Sequence, residues 1–182
     1  LEAITALNAE LRGHAVICGY GRVGQSIGRF LRNEQQTFIA LDDDPERVQE
    51  AATEDSSVHY GDCRRGALLS AVGLERARLV VIAVDNTDVA LVVLKEARRI
   101  NADVPILVRT RDDSQLAELK AAGASEVVPE LLESSLMLAS HALILLGLPD
   151  QQVQARVDEV RQTRYRLLHG FYRPADEPIN PD

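Results

Sequence analysis

Three glycines, Gly19, Gly21 and Gly24, follow an apolar run in the stretch HAVICGYGRVGQSIGRFL, and a second apolar run, FIALD, closes on Asp42. Each glycine has a physical job at this spacing. Gly19 allows a tight turn out of a strand, Gly21 lets the backbone approach a pyrophosphate, and Gly24 lets a following helix pack closely on a sheet. A helix starting near Arg22 aims unpaired N–H groups and a positive dipole end at phosphate oxygens. Asp42 lies 18 residues past Gly24, close to where a carboxylate accepts hydrogen bonds from ribose hydroxyls. The chemistry is nucleotide binding, with sugar on the acid and phosphate on the loop. Three glycines alone are a weak signal; the strand, the helix and the acid in register make it specific.

Asp62 and Asp85 close apolar runs of their own and suit adenine or ribose contact better than helix capping. Asp42, Asp43 and Asp44 stand in a row, but with one acid on ribose and one capping a helix they do not read as a cation site. His14, His59, His141 and His169 are scattered, and no pair has metal-ligand spacing, so no metal is expected. Arg22 lies inside the glycine loop, where phosphate, solvent and a partner subunit are all open. Arg109 and Arg111 are expected on one face of a strand, either in surface ion pairs or near a ligand phosphate. Cys18 reads as a small core residue; Cys63, after Gly61-Asp62, is placed to border a ligand. No hydride-transfer machinery is visible, and no Tyr is followed by a Lys four residues later. The expectation is a protein that reads a nucleotide without reacting with it.

The elements that must position these residues alternate. Strands are predicted at about 15–19, 38–42, 58–62, 79–85, 105–110 and 126–130, with helical patterns between them. Asp44-Pro45 is a helix start, an N-cap followed by proline. A helix runs from about Thr87 to Ile100, and Asp112, Asp113 and Ser114 offer N-caps for one ending at Gly123. The predicted fold class is α/β, a Rossmann-like doubly wound six-stranded parallel sheet of order 3-2-1-4-5-6 with a C-terminal helical extension. A ligand at the switch point then meets the tips Gly19–Gly24, Asp42–Asp44, Gly61–Cys63 and Val84–Asp85. Three segments are predicted: a linker helix at 1–13, a nucleotide-binding domain at 14–148, and a helical extension and tail at 149–182. The run LLESSLMLASHALILLGL is apolar around most of a helix and needs a cover, from its own domain or another chain. A polar helix from about Gln151 to His169 carries Arg156, Arg161, Arg164 and Arg166, and the closing PADEPINPD reads as disordered.

Composition narrows the classes. The 182 residues are 46% hydrophobic, 26% charged and only 4% aromatic, which suits an aliphatic parallel-sheet core. The net charge of −8 argues against nucleic acid as the main partner. No window holds the roughly 18 apolar residues of a membrane span, and Glu2, Asn8, Glu10 and Arg12 break up the N-terminal stretch, which does not read as a signal peptide. Two cysteines make no disulfide framework, so a reducing compartment is expected.

GYGRVG after a strand, ALDDDP, YGD before a helix, VIAVDN, RTRD and VVPE occur in an order that resembles KTN (RCK, TrkA-N) domains, nucleotide-binding regulators of bacterial potassium transporters and channels. The resemblance covers about residues 13–148. RYRLLHGFYR is similar to the tail of Kef-type potassium:proton antiporters, in which this domain follows a membrane transporter. The resemblance implies a cytosolic regulatory domain at the inner membrane that binds NAD(H), AMP, ADP or ATP and gates the transporter upstream in the same polypeptide. It also implies a homodimer through the helix near Leu136–Leu146. Carried over, Tyr20, Gly21, Arg22 and Val23 would hold phosphate, and Asp42, with Asp43 beside it, the ribose. Asp62 and Cys63 would meet adenine, Val84 and Asp85 would form the floor, and Arg109 would approach the phosphate side. The alternatives are a peripheral subunit of a Trk-type potassium uptake system and a small NAD-dependent oxidoreductase.

Overall fold

Val16, Ile17, Ile39, Ala40, Val81 and Ile82 lie in runs too uniformly apolar to leave either face in water, so they pair side by side in the middle of a parallel sheet. A computed structural model describes residues 2–53 and 57–163. Its elements are α1 (Glu2–Asn8), β1 (Ala15–Cys18), α2 (Arg22–Asn33), β2 (Phe38–Asp42), α3 (Pro45–Ala52), β3 (Val58–Tyr60) and α4 (Gly66–Ala71). A 3-10 turn at Leu74–Arg76 leads into β4 (Leu79–Ile82), α5 (Thr87–Ile100), β5 (Ile106–Thr110), α6 (Leu116–Ala121) and β6 (Glu126–Pro129), followed by α7 (Glu130–Leu145) and α8 (Asp150–Gln162). The six strands are parallel, in the order β3-β2-β1-β4-β5-β6, as the alternation predicts.

Alternate residues of each strand serve opposite faces. Ala15, Ile17, Phe38, Ala40, Val81 and Ala83 pack with Val23, Ile27 and Leu31 of α2 and Val48 of α3. Val16, Cys18, Ile39, Leu41, Val80 and Ile82 pack with Leu68 and Leu69 of α4 and with Leu91, Val93 and Leu94 of α5. The reversal of helix side between α3 and α4 marks the switch point beside β1, and ligand crevices in such sheets lie beyond the carboxyl ends of the strands there.

The expected elements shift at a few ends. β4 stops at Ile82, three residues before Asp85; Ala83 N–H still donates to the Cys18 carbonyl (2.8 Å), and Val84 lies against Gly19. β3 stops at Tyr60, so Asp62 lies in the following loop. Arg111 falls past the end of β5 and does not share a strand face with Arg109. The N-cap of α6 is Gln115, with no side-chain cap. Asp112 turns instead onto the N–H and hydroxyl of Ser114, so the expected cap is a local turn before the helix. Readings that fall on residues 164–182, including Arg164, Arg166 and His169, lie outside the described residues.

The chain divides between Pro129 and Glu130 into two compact units. The sequence reading carries the nucleotide-binding domain on to residue 148; β6 runs into α7 with no spacer, so composition marks no junction there. In the second unit α7 and α8 pack together. Leu132 and Leu136 on one, and Val153 and Val157 on the other, are buried at helical i, i+4 spacing. Arg161 joins the pair by donating from two nitrogens to Glu133, at 2.8 and 3.2 Å. No helix among the described residues is long and apolar enough to cross a membrane.

Candidate functional site

Parallel pairing sets the four expected loop tips side by side. Gly19 N–H donates to the Leu41 carbonyl (2.8 Å), Gly61 N–H to the Asp42 carbonyl (2.9 Å), and Ala83 N–H to the Cys18 carbonyl (2.8 Å). The glycine loop, the end of β2, the loop after β3 and the end of β4 therefore form one row.

Within the loop, Gly19 takes a left-handed φ of +93°, and a Cβ there would lie 3.0 Å from Val84. That conformation and that contact both favour glycine. A Cβ on Gly24 would lie 2.2 Å from the Gly19 carbonyl oxygen, which is how α2 comes to rest directly on the loop. A Cβ on Gly21 would make an ordinary contact with the Arg47 Nη1 atom, 3.7 Å away. No side chain caps α2 at Gly21, so its first-turn N–H groups at Arg22, Val23 and Gly24 retain the capacity to bind an anion. The Arg22 side chain is exposed and Val23 half-buried. The Tyr20 ring is turned into the core, stacked on Phe38 with centroids 6.2 Å apart. Only its main chain faces the loop.

Asp42 is buried, 3% exposed, and holds the loop in shape. Its Oδ2 accepts from Tyr20 N–H (2.6 Å) and its Oδ1 from Asp44 N–H (2.9 Å). The Arg47 Nη1 donates to both oxygens, at 3.1 and 3.3 Å. Asp43 is exposed beside it. Asp44 is the predicted N-cap, accepting from Glu46 and Arg47 N–H with Pro45 next in the helix, and it also pairs with Arg47 Nη2 at 3.0 Å.

The other two acids are likewise matched with guanidinium groups. Arg64 reaches both oxygens of Asp62 at 2.9 to 3.1 Å. These hydrogen bonds and the Arg64 charge outweigh partial desolvation and hold the Asp62 carboxyl below the usual carboxylate range. Arg109 pairs with the exposed Asp85 at 2.7 Å and donates to the Ala83 carbonyl at 3.2 Å, which seats it at the β4 tip. Arg47 and Arg64 are the site residues that sequence reasoning missed. Their signal was local: Arg47 is the third residue after the Asp44 cap, in the first turn of α3, and Arg64 is two residues beyond Asp62.

Cys63 belongs to the row by its main chain, but its thiol is buried and lies 3.6 Å from the Leu41 carbonyl. A sulfur hydrogen bond with Cys18 and burial push that thiol well above its ordinary pKa, the setting of an unreactive core cysteine. Among the described residues no group of three or more His, Cys, Asp and Glu is arranged to hold a metal ion.

A buried carboxylate, a glycine loop, an uncapped helix start and three arginines stand together at the strand tips. Known proteins resemble this chain in sequence and in fold. A protein of Alkalimonas amylolytica described as a K(+) efflux antiporter, KefB, is 45% identical over 163 residues, 90% of this chain and 25% of its own length. The glutathione-regulated potassium-efflux system protein KefC of Klebsiella pneumoniae (strain 342) is 29% identical over 167 residues, 92% of this chain and 27% of its own length. The chain thus spans about a quarter of the length of these relatives. Among solved structures, the Shewanella denitrificans Kef CTD in AMP bound form matches with a TM-score of 0.73 and 31% identity, over 87% of this chain and 96% of that one. The TrkA-N domain of inner membrane protein ybaL from Escherichia coli matches with a TM-score of 0.67 and 26% identity, over 75% of this chain and 98% of that one. The TrkA-N domain profile matches residues 15–130, and the chain belongs to the TrkA-N domain family.

Proposed function

We propose that this chain is the ligand-sensing regulatory domain of a potassium (monovalent cation):proton antiporter and holds an adenine nucleotide across the four strand tips. The ribose sits on Asp42, with Asp43 at its edge. The phosphate lies over Gly21 against the first turn of α2, contributed by Arg22, Val23 and Gly24. Adenine extends toward Asp62 and the Cys63 main chain, with Val84 and Asp85 beneath it and Arg109 on the phosphate side. The observation that carries this reading is Asp42, a buried carboxylate hydrogen-bonded to the glycine loop it adjoins.

The similarity to a Kef C-terminal domain in AMP bound form supports AMP as the first ligand to test; NAD(H), ADP and ATP share its adenosine. The domain acts as a sensor and not as an enzyme. Nucleotide occupancy biases two arrangements of a homodimer that meets through α7, and so gates a transporter on the same polypeptide from the cytoplasmic face of the inner membrane. A ligand shifts such a gate only by its differential affinity for the two states, typically about 1–3 kcal/mol of coupling.

Calorimetric titration of the purified chain with AMP, NADH and NADPH tests the binding half of this reading. AMP and NADH should bind, and NADPH should bind more weakly, because its 2′-phosphate meets the Asp42–Asp44 acids. Asp42→Asn should cost about 1–3 kcal/mol of affinity, the range for a charged hydrogen bond, in protein whose thermal melt shows that it folds. Absence of binding to all three ligands, or NADPH binding as tightly as NADH, overturns the assignment.

A further inference from the structure

We infer that Arg47 is a phosphate-binding residue that must release Asp42 for a nucleoside 5′-phosphate to bind, exchanging the carboxylate for the ligand's phosphate. The inference rests on the proposed seat of the sugar at Asp42 and adds a residue and a ligand class to it.

An ionised carboxylate offers about four lone-pair positions. Two of those on Asp42 are committed to the fold, by Tyr20 N–H on Oδ2 and Asp44 N–H on Oδ1. The other two, one on each oxygen, are what the paired hydroxyls of a ribose would use. Both are held by a single atom, Arg47 Nη1, at 3.1 and 3.3 Å. A sugar can therefore reach Asp42 only by taking these positions from Arg47.

The displaced guanidinium has a defined place to go. Its Nη1 already lies 3.7 Å from the Cβ position of Gly21, over the loop whose first-turn N–H groups favour an anion. Its Nη2 is anchored on Asp44 at 3.0 Å, so a small rotation about that anchor turns Nη1 from the sugar end toward the phosphate end. The side chain is 44% exposed and has room to turn. A guanidinium fork suits phosphate as well as carboxylate, so the exchange replaces one charge-assisted pair with another. A nucleoside without phosphate displaces Arg47 and returns nothing to it.

The test compares AMP with adenosine on wild type, Arg47→Gln and Arg47→Lys, each titrated calorimetrically after a thermal melt that confirms folding. Wild type should prefer AMP. In Arg47→Gln that preference should fall about tenfold or more, the loss of one charge-assisted contact, while adenosine binds as well as before or better because Asp42 is no longer contested. Arg47→Lys, which keeps the charge and loses the fork, should fall between. An AMP-to-adenosine ratio unchanged in Arg47→Gln, or equal loss of both ligands, overturns the exchange. Wild type that binds neither ligand overturns the nucleotide reading beneath it, a result distinct from either of those.

Discussion

A methyl group at Gly24 would stand 2.2 Å from the Gly19 carbonyl oxygen, closer than any Cβ can sit to backbone. The obstacle is main chain on both sides, so no side chain can swing away to make room. Gly24→Ala should lower stability by about 1–3 kcal/mol or more, the range for forced overpacking, and push α2 off the loop. Chemical denaturation measures the loss; a midpoint within error of wild type would show that the contact relaxes freely. This glycine, and Asp42, were legible in the sequence because each is required by backbone geometry at a fixed spacing. Two of the arginines were not. Arg47 and Arg64 are ordinary surface residue types, and only the fold of the first α3 turn and of the β3–α4 loop brings them onto Asp42 and Asp62. Cys63 shows the reverse: its position is as read, but its side chain points into the core under Leu41.

At the level of elements, the alternation of apolar runs with helical patterns carries all six strands and, through the doubly wound rule, their order; β1 and β2 are buried on both faces. It does not carry their ends. Ala83 and Val84 are as apolar as β4, so the pattern runs on to Asp85 although the strand ends at Ile82 and Val84 lies against Gly19. One buried polar side chain, just before β1, adds a hydrogen bond to the end of α4. His14 is fully buried, with Nε2 2.8 Å from the Val72 carbonyl, and its Nδ1 has no hydrogen-bond partner among the described residues. Burial lowers its pKa below 6.5, outweighing the Val72 hydrogen bond that favours the charged ring, and nearby Arg76 lowers it further. Burial lowers that of His59 as well. The unfolded chain therefore takes up these protons before the folded one does. Stability should be full above about pH 6.5 and fall as pH drops below it, toward the lowered pKa values. Melting temperatures followed from about pH 8 to about pH 5 should show that decline, and His14→Gln, which keeps an amide donor for Val72 and does not titrate, should flatten it in part. A slope identical in the variant would remove His14 as a source.

For the molecule as a whole, the open question of assembly turns on α7. Leu131, Leu138 and Leu145 recur every seven residues and are 48%, 72% and 87% exposed, with Met137 and Ile144 also exposed. Leucines at heptad spacing form one stripe along a helix, the pattern of a helix–helix seam. The buried Leu132 and Leu136 occupy the other side. A stripe of this kind is left to water only at a cost of about 1.5–3 kcal/mol for each large side chain that an interface would otherwise cover. A second copy of the chain would supply a self-complementary cover under two-fold symmetry. We therefore expect a dimer in sedimentation experiments, with a melting temperature that rises with protein concentration as mass action requires. Leu138→Glu combined with Leu145→Glu places two carboxylates on the stripe without touching the residues buried inside the monomer. The double variant should sediment as a monomer, melt independently of concentration, and still bind AMP, since none of the strand-tip residues is altered. Wild type that sediments as a monomer at all concentrations would refute the seam, and a double variant that remains dimeric would move the interface elsewhere. A monomeric variant that loses AMP binding would show instead that the partner subunit completes the nucleotide site, and the crevice could then no longer be described from one chain alone.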